Sequence, residues 1–149
     1  MTPFYAGGLH FSCARCSDCC RHDPGFVFLS GNDSEHLAKR LGLEYSSFIV
    51  VYCRWVPAGG GTEMLSLKER SNYDCILWGT NGCSVYEDRP LQCKTFPFWN
   101  SVIGCEESWR ATAVECLGMD TGRMYDREEI DRLLALREND PVVVRNVIR

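Results

Sequence analysis

The sequence has none of the features that place a chain in a membrane or send it across one. Residues 1–13 contain no basic stretch followed by an apolar run of signal-peptide length. Nowhere do about 18 apolar residues follow one another, and the longest apolar run, Phe48–Cys53, is far too short to span a bilayer. We therefore expect a soluble, cytoplasmic protein that makes no contact with a membrane.

Positive charge is also scarce. The chain has 16 Lys and Arg residues against 20 Asp and Glu residues, which gives a formal net charge of −4. Its basic residues cluster no further than pairs such as Lys39-Arg40. Binding to nucleic acid depends on a concentrated basic surface that neutralises phosphates. We therefore expect no nucleic-acid partner.

The residues needed for common types of catalysis are few. The only histidines are His10, His22 and His36, and none lies in a recognisable motif. No group of nucleophile, base and orienting residue can be assembled from the sequence. The paired carboxylates Glu106-Glu107 and Glu128-Glu129 have no catalytic partner nearby in sequence. The catalytic residues are therefore unknown, and the sequence does not establish whether the protein is an enzyme.

Cysteine, in contrast, is abundant, with ten residues among 149. In a reducing compartment, clustered cysteines more often bind metal or catalyse redox reactions than form disulfides. Disulfides and unconnected buried thiols are the two alternatives. We expect metal binding.

Four of the ten cysteines lie at the start of the segment 13–24, which we call the cysteine loop. Cys13, Cys16 and Cys19 are each separated by two residues, a spacing at which one turn brings both sulfurs to one metal. The same spacing occurs in the ligand loop of bacterial ferredoxins. The adjacent residues Cys19 and Cys20 point in opposite directions in an extended segment, so we expect them to serve two centres or to bridge them.

Two four-coordinate centres need about eight ligands in total. The second half of the chain supplies four more cysteines, which we call the later cysteines: Cys75, Cys83, Cys93 and Cys116. One predicted partition joins Cys93 to the first three cysteines of the loop, and joins Cys20 to the other three later cysteines. Metal bound in this way would cross-link distant segments and stabilise the fold.

These cysteines also carry a family resemblance. The motifs are Cys13-x-x-Cys16-x-x-Cys19-Cys20, then Cys75-Ile-Leu-Trp, then Gly82-Cys83-Ser-Val-Tyr86-x-x-Arg89-Pro90-x-x-Cys93-Lys-Thr-Phe96-Pro97-Phe98-Trp99, then Cys116-Leu-Gly118. Over about Cys13 to Glu129 the chain resembles the YkgJ-type family of zinc- or iron-chelating CxxCxxCC proteins. The resemblance implies that the family's metal ligands are Cys13, Cys16, Cys19, Cys20, Cys75, Cys83, Cys93 and Cys116. The chain departs from the family in having Cys116-Leu-Gly118 where Cys-Pro-Gly is usual.

The resemblance implies a metal rather than a reaction. Similar proteins include a flagellin lysine methylase, in which the cysteine region is attached to a larger chain. This sequence lacks that length and has no glycine-rich S-adenosylmethionine loop. We expect a component of a redox or protein-modification system, such as flagellin modification, with a protein partner or protein substrate. The alternative is a metal-stabilised interaction module, or a metal carrier, without catalysis.

The identity of the metal is open, because thiolates bind both zinc and iron. The Cys-Cys pair and the C-x2-C-x2-C run are closer to the ligation of a cluster. They favour iron, as an iron–sulfur cluster or closely spaced ions, over Zn²⁺.

Two cysteines fall outside the motifs. Cys53 ends an apolar stretch and is predicted to be a small buried hydrophobic residue rather than a ligand. Cys105 is predicted to be an exposed thiol, a supplementary ligand or a partner of Cys53. His22 and Asp23, directly after the cluster, are predicted to lie in a solvent-facing loop or to hydrogen-bond to a ligand, with direct ligation or proton relay as the alternative.

The pattern of apolar and turn residues predicts a single small, irregular α+β domain over residues 1–149, with short helices and short antiparallel strands. The motif region covers residues 13–129, and residues 126–149 form a C-terminal helix and a tail or edge strand. The predicted elements begin with a poorly patterned start over 1–12 and a strand at 26–29. A helix capped by 32–34 is predicted to end at Gly42, and a second helix is predicted over 45–52, where the β-branched residues leave a strand as the alternative. These are followed by a glycine-turn hairpin over 54–68, a strand at 75–78, a short helix after Arg89-Pro90, and one or two strands between 101 and 114. The sequence Asp126-Arg-Glu-Glu129 resembles a capping box and predicts the N-cap of the C-terminal helix.

Overall fold

The computed structural model describes residues 2–13, 25–79 and 82–147. The helices are α1 (Gly31–Arg40), α2 (Tyr45–Tyr52), α3 (Leu91–Thr95), α4 (Asn100–Ile103), α5 (Glu106–Ala113) and α6 (Arg127–Asn139), with 3₁₀ turns at Phe4–Gly7 and Tyr86–Asp88. The strands are β1 (Leu9–Phe11), β2 (Cys53–Gly59), β3 (Thr62–Leu67), β4 (Trp78–Gly79), β5 (Gly82–Cys83), β6 (Met119–Tyr125) and β7 (Val144–Asn146). The predicted α+β class, with short antiparallel strands, is confirmed.

The largest sheet is built on the predicted glycine-turn hairpin. β2 and β3 pair antiparallel, and β7 pairs with the other edge of β3, so the order is β2-β3-β7. The turn residues Gly59, Gly60 and Gly61 all have positive φ, a conformation that a residue without Cβ adopts at little cost. The predicted hairpin and the predicted edge strand of the tail are both confirmed.

The helix α1 begins earlier than predicted. The hydroxyl of Ser30 accepts a hydrogen bond from the Asp33 amide, and the Asp33 carboxylate accepts one from the Ser30 amide. This reciprocal capping box fixes the first turn at Gly31 rather than after 32–34. The helix gives way at Gly42, which has a φ of 70°, as predicted. The second predicted helix is confirmed with the bounds Tyr45–Tyr52.

The strands predicted between residues 101 and 114 are wrong, because this segment forms α4 and α5. Ser108 and Cys105 form a reciprocal cap at the start of α5, and Glu106 in its first turn pairs with Arg110 one turn later. Acidic residues near a helix N-terminus and pairs four residues apart both favour helix. The apolar residues of this region, including Trp109, then fall on one buried side.

Three further segments differ from prediction. The strand predicted at 26–29 is an extended segment with one isolated bridge, between Phe28 and Ser66. The strand predicted at 75–78 is mostly a turn, since β4 begins only at Trp78. The start of the chain, predicted only as poorly patterned, contains the strand β1, which pairs with β6 in a separate two-stranded sheet. The segment 26–29 and the strand β1 are therefore placed by partners far away in the sequence rather than by their own pattern.

The buried apolar residues form two clusters with no residue in common. The first core lies under α1, α2 and the three-stranded sheet, and contains Leu29, Leu37, Ala38, Phe48, Cys53, Leu65, Leu67, Leu77 and Val85. The second core lies between α4, α5, α6 and β6, and contains Phe98, Val102, Ile103, Trp109, Met119 and Ile130. The N-cap predicted for α6 is confirmed, because the Asp126 side chain accepts a hydrogen bond from the Glu129 amide. In the described ranges, no helix combines the length and apolar character required to cross a bilayer.

Candidate metal centre

The start of the cysteine loop is fixed next to the segment that carries Cys116. The strand β1 leads into Ser12, whose amide donates a hydrogen bond of 3.2 Å to the carbonyl of Gly118. The hydroxyl of Ser12 accepts a second bond, of 3.0 Å, from the amide of Arg123. Because Gly118 follows Cys116 by two residues, the loop leaves the body of the protein close to that cysteine.

Cys13 lies near the segment that carries Cys83. It is exposed, and its side chain hydrogen-bonds with that of Tyr86, three residues after Cys83. Partial burial raises the pKa of Tyr86, and the hydrogen bond with Cys13 raises it further. The guanidinium of Arg89 lies 3.9 Å from the centre of the Tyr86 ring, which holds the ring in place. The hydrogen bond with this ring fixes the direction of the Cys13 side chain.

The other end of the cysteine loop is held by two charged side chains. The amide of Gly25 donates to the carboxylate of Glu69 at 3.2 Å, and Arg54 donates to the Gly25 carbonyl at 2.6 Å. Arg54 and Glu69 are themselves 3.7 Å apart. Glu69 also forms an isolated bridge with Cys75. The chain therefore returns from the loop directly beside Cys75.

Gln92 hydrogen-bonds the residues that follow Gly25 to the helix α3. Its side-chain amide donates to the carbonyl of Phe26 at 2.8 Å, and its side-chain oxygen accepts from the amide of Phe28 at 3.0 Å. The next residue of the helix is Cys93. One glutamine thus aligns the end of the loop with a second predicted ligand.

Cys75 and Cys93 line the same cleft, of about 280 Å³, together with Gly25. The predicted partition had placed these two cysteines in different centres. The other lining residues are mostly apolar: Phe26, Val27, Leu67, Lys68, Glu69, Tyr73, Gln92, Phe96 and Trp99. Phe26 and Tyr73 are 49% and 47% exposed, so the cleft reaches the surface.

Each of the two remaining later cysteines packs against one of the two cores. Cys83 lies in β5 opposite Trp78 and packs against the first core. Cys116 follows α5 and packs against the second core. All four later cysteines are half-buried, and each has an interaction partner.

Cys16, Cys19, Cys20, His22 and Asp23 lie outside the described residues. Within residues 2–13, 25–79 and 82–147, no three His, Cys, Asp or Glu side chains form a group that could hold a metal. The thiol chemistry of the donor set fits zinc or iron. A complete four-ligand site needs additional donors, and the cysteine loop, held at both ends beside the later cysteines, carries three more thiols.

Cys53 is buried, as predicted, with 4% of its surface exposed. Burial raises the pKa of its thiol to about 12, because a charged thiolate is poorly solvated in the first core. Metal ligation requires the thiolate. Cys53 is therefore a poor ligand.

Cys105 is exposed, as one of its three predicted alternatives stated. It precedes α5, and hydrogen bonds with Ser108 lower its pKa below the usual value for a thiol. Cys105 and Cys53 are both free thiols, so the predicted alternative in which they pair is wrong.

The residues that hold the loop ends were missed by sequence reasoning. Arg54 and Glu69 lie in or beside the hairpin strands with no local motif around them. Gln92 and Tyr86 fall inside the Cys83-to-Cys93 motif, and their proximity to cysteines was the available signal.

A known family of domains matches most of this chain. The family model described as "CxxCxxCC: Putative zinc- or iron-chelating domain" matches residues 12–117. No solved structure matches this chain.

Proposed function

The chain belongs to the family of CxxCxxCC zinc- or iron-chelating domains, and we propose that it binds its metal through thiolates drawn from both the cysteine loop and the later cysteines. The proposed ligands are the eight cysteines of the motifs: Cys13, Cys16, Cys19, Cys20, Cys75, Cys83, Cys93 and Cys116. Iron is the proposed metal, and Zn²⁺ is the alternative.

One observation carries this proposal: both ends of the cysteine loop are hydrogen-bonded to residues next to later cysteines. Ser12 is bonded beside Cys116, and Gly25 is bonded to Glu69, the bridge partner of Cys75. A loop fixed at both ends loses less conformational entropy when its thiols bind a metal than a loop that is free at one end. The anchors therefore support ligation across the two parts of the chain.

The residues around the thiols also suit metal binding. Tyr86 hydrogen-bonds to the side chain of Cys13, and such bonds to a ligand orient it. The aromatic side chains of Phe96 and Trp99 line the cleft beside Cys93 and give it an apolar wall. Bound iron would supply one-electron redox chemistry, whereas bound zinc would supply a redox-inert centre.

We propose that the protein is a component of a redox or protein-modification system, such as flagellin modification. The resemblance to a flagellin lysine methylase supports this role. The cleft beside Cys75 and Cys93 supports it as well, because it reaches the surface and gives a partner protein or a substrate a path to these thiols.

The alternative role is an interaction module that uses metal only to hold its fold. Two apolar residues that flank Cys116 favour it, because Val114 is 84% exposed and Leu117 is 71% exposed. Contiguous exposed apolar surface is typical of a site that contacts another protein. A metal carrier is less well supported, since release would require segments from distant parts of the chain to separate.

The test is anaerobic purification followed by metal analysis and an absorbance spectrum. We expect stoichiometric metal, with a broad visible charge-transfer band if it is iron and none if it is zinc. Cys93→Ser should lower the metal content, whereas the matched control Cys105→Ser should leave it unchanged. Protein that is folded but contains no metal, even after reconstitution with either ion, would refute the proposal.

A further inference from the structure

We propose that Cys75 and Cys93 bind the same metal ion or cluster, an inference that rests on the proposed metal binding. It replaces the predicted partition, in which Cys93 joined the first three cysteines of the loop and Cys75 joined Cys20.

The shared cleft is the first argument. Cys75 lies in the turn region that follows β3, and Cys93 lies in α3, so they reach the cleft from different elements. Both are half-buried, which leaves each sulfur partly shielded and partly accessible from the cleft. Two thiols on one concave surface can meet at one ion without rearrangement of the strands and helices that carry them.

The division of the later cysteines between the two ends of the loop is the second argument. Glu69 and Gln92, which neighbour Cys75 and Cys93, hold the returning chain at Gly25 and Phe28. The outgoing end is held instead at Gly118 and Tyr86, the neighbours of Cys116 and Cys83. Cys75 and Cys93 therefore belong with the same end of the loop.

A shared centre has a definite structural effect. Each thiol that binds gives up its proton to solvent, and the metal would then join the turn after β3 to the helix α3. Thiolate centres of zinc or iron have four ligands, so Cys75 and Cys93 would supply half of one such centre.

The experiment compares the single variants Cys75→Ser and Cys93→Ser with the double variant, each purified anaerobically and analysed for metal. If the two cysteines share a centre, both single variants lose the same metal equivalents and the same spectral component, and the double variant loses no more. Losses that add in the double variant, or single losses in different spectral components, would overturn the inference. A wild-type protein without metal would instead overturn the proposed function.

The wild-type protein provides a second measurement in case the serine variants do not fold. The metal-loaded chain is titrated with a chelator and pulsed with iodoacetamide, and each cysteine is followed by mass spectrometry. Cys75 and Cys93 should become alkylated at the same chelator concentration, whereas exposed Cys105 should react throughout. Alkylation of one of the pair while the other stays protected would contradict a shared centre.

Discussion

Replacing Gln92 with alanine should weaken metal binding without an equal loss of stability of the fold. The side chain makes two hydrogen bonds to the backbone, to the carbonyl of Phe26 and from the amide of Phe28. Each such bond contributes about 1 kcal/mol, so the variant loses about 2 kcal/mol in the docking of this segment. That energy corresponds to about a 30-fold loss of metal affinity if binding requires the docked segment.

The assay is a competition between the protein and a chelator of known affinity, with thermal unfolding measured in parallel. Gln92→Glu keeps the acceptor for the Phe28 amide but loses the donor to Phe26, so about a 5-fold loss of affinity is expected. Ser30→Ala is the matched control, because the Ser30 hydroxyl also makes two hydrogen bonds, one with Asp33 and one with Asp140. It should cost about 1–2 kcal/mol of stability and leave metal affinity unchanged.

Comparison of these variants distinguishes alignment of the loop end from a general loss of stability. If Ser30→Ala weakens metal binding as much as Gln92→Ala, the effect of Gln92 is a general loss of stability. If Gln92→Ala leaves the affinity unchanged, alignment of the loop end does not contribute to the site.

Removal of the metal with a chelator should leave the far-UV circular dichroism largely intact, because both cores persist. It should lower the midpoint of thermal unfolding, and an unchanged midpoint would argue against a metal link between segments. Cys53→Ala should cost about 1 kcal/mol of stability and leave the metal content unchanged, and loss of metal would make Cys53 a ligand. Iodoacetamide at neutral pH should modify Cys105 far faster than Cys53, and Ser108→Ala should slow that reaction because it removes the hydrogen bonds that favour the thiolate. Serine at Cys19 and at Cys20 should disturb different metal equivalents, and loss of the same single equivalent from both would refute their divergence.

Elements with a strong local pattern could be predicted from the sequence. The helix at Tyr45–Tyr52 repeats its apolar residues at helical spacing, and the hairpin turn is marked by three glycines. The helix α5 was missed because its start depends on a cap formed by Cys105 and Ser108. Neither residue stood out as a helix signal in the sequence, and the apolar residues there fit a strand equally well.

The candidate site could also be predicted only in part. Spacing and motif predicted which cysteines are ligands, and this stays a prediction. The position of Cys53 at the end of an apolar stretch predicted its burial, which the structure confirms. The contacts of Gly25 with Glu69 and of Phe26 with Gln92 join residues 44 and 66 positions apart. No local rule of propensity or spacing reports a contact at that distance, so the grouping of Cys75 with Cys93 required the fold.

The separation of the buried residues into two cores has a consequence for turnover in the cell. The cysteines that pack on the first core, Cys75 and Cys83, and the one that packs on the second, Cys116, would be joined by metal through the cysteine loop. Without metal, either half could open transiently without the other, and proteases cleave such partly opened states. The supply of metal would then set the half-life of the protein, and a shortage of metal would lower its amount.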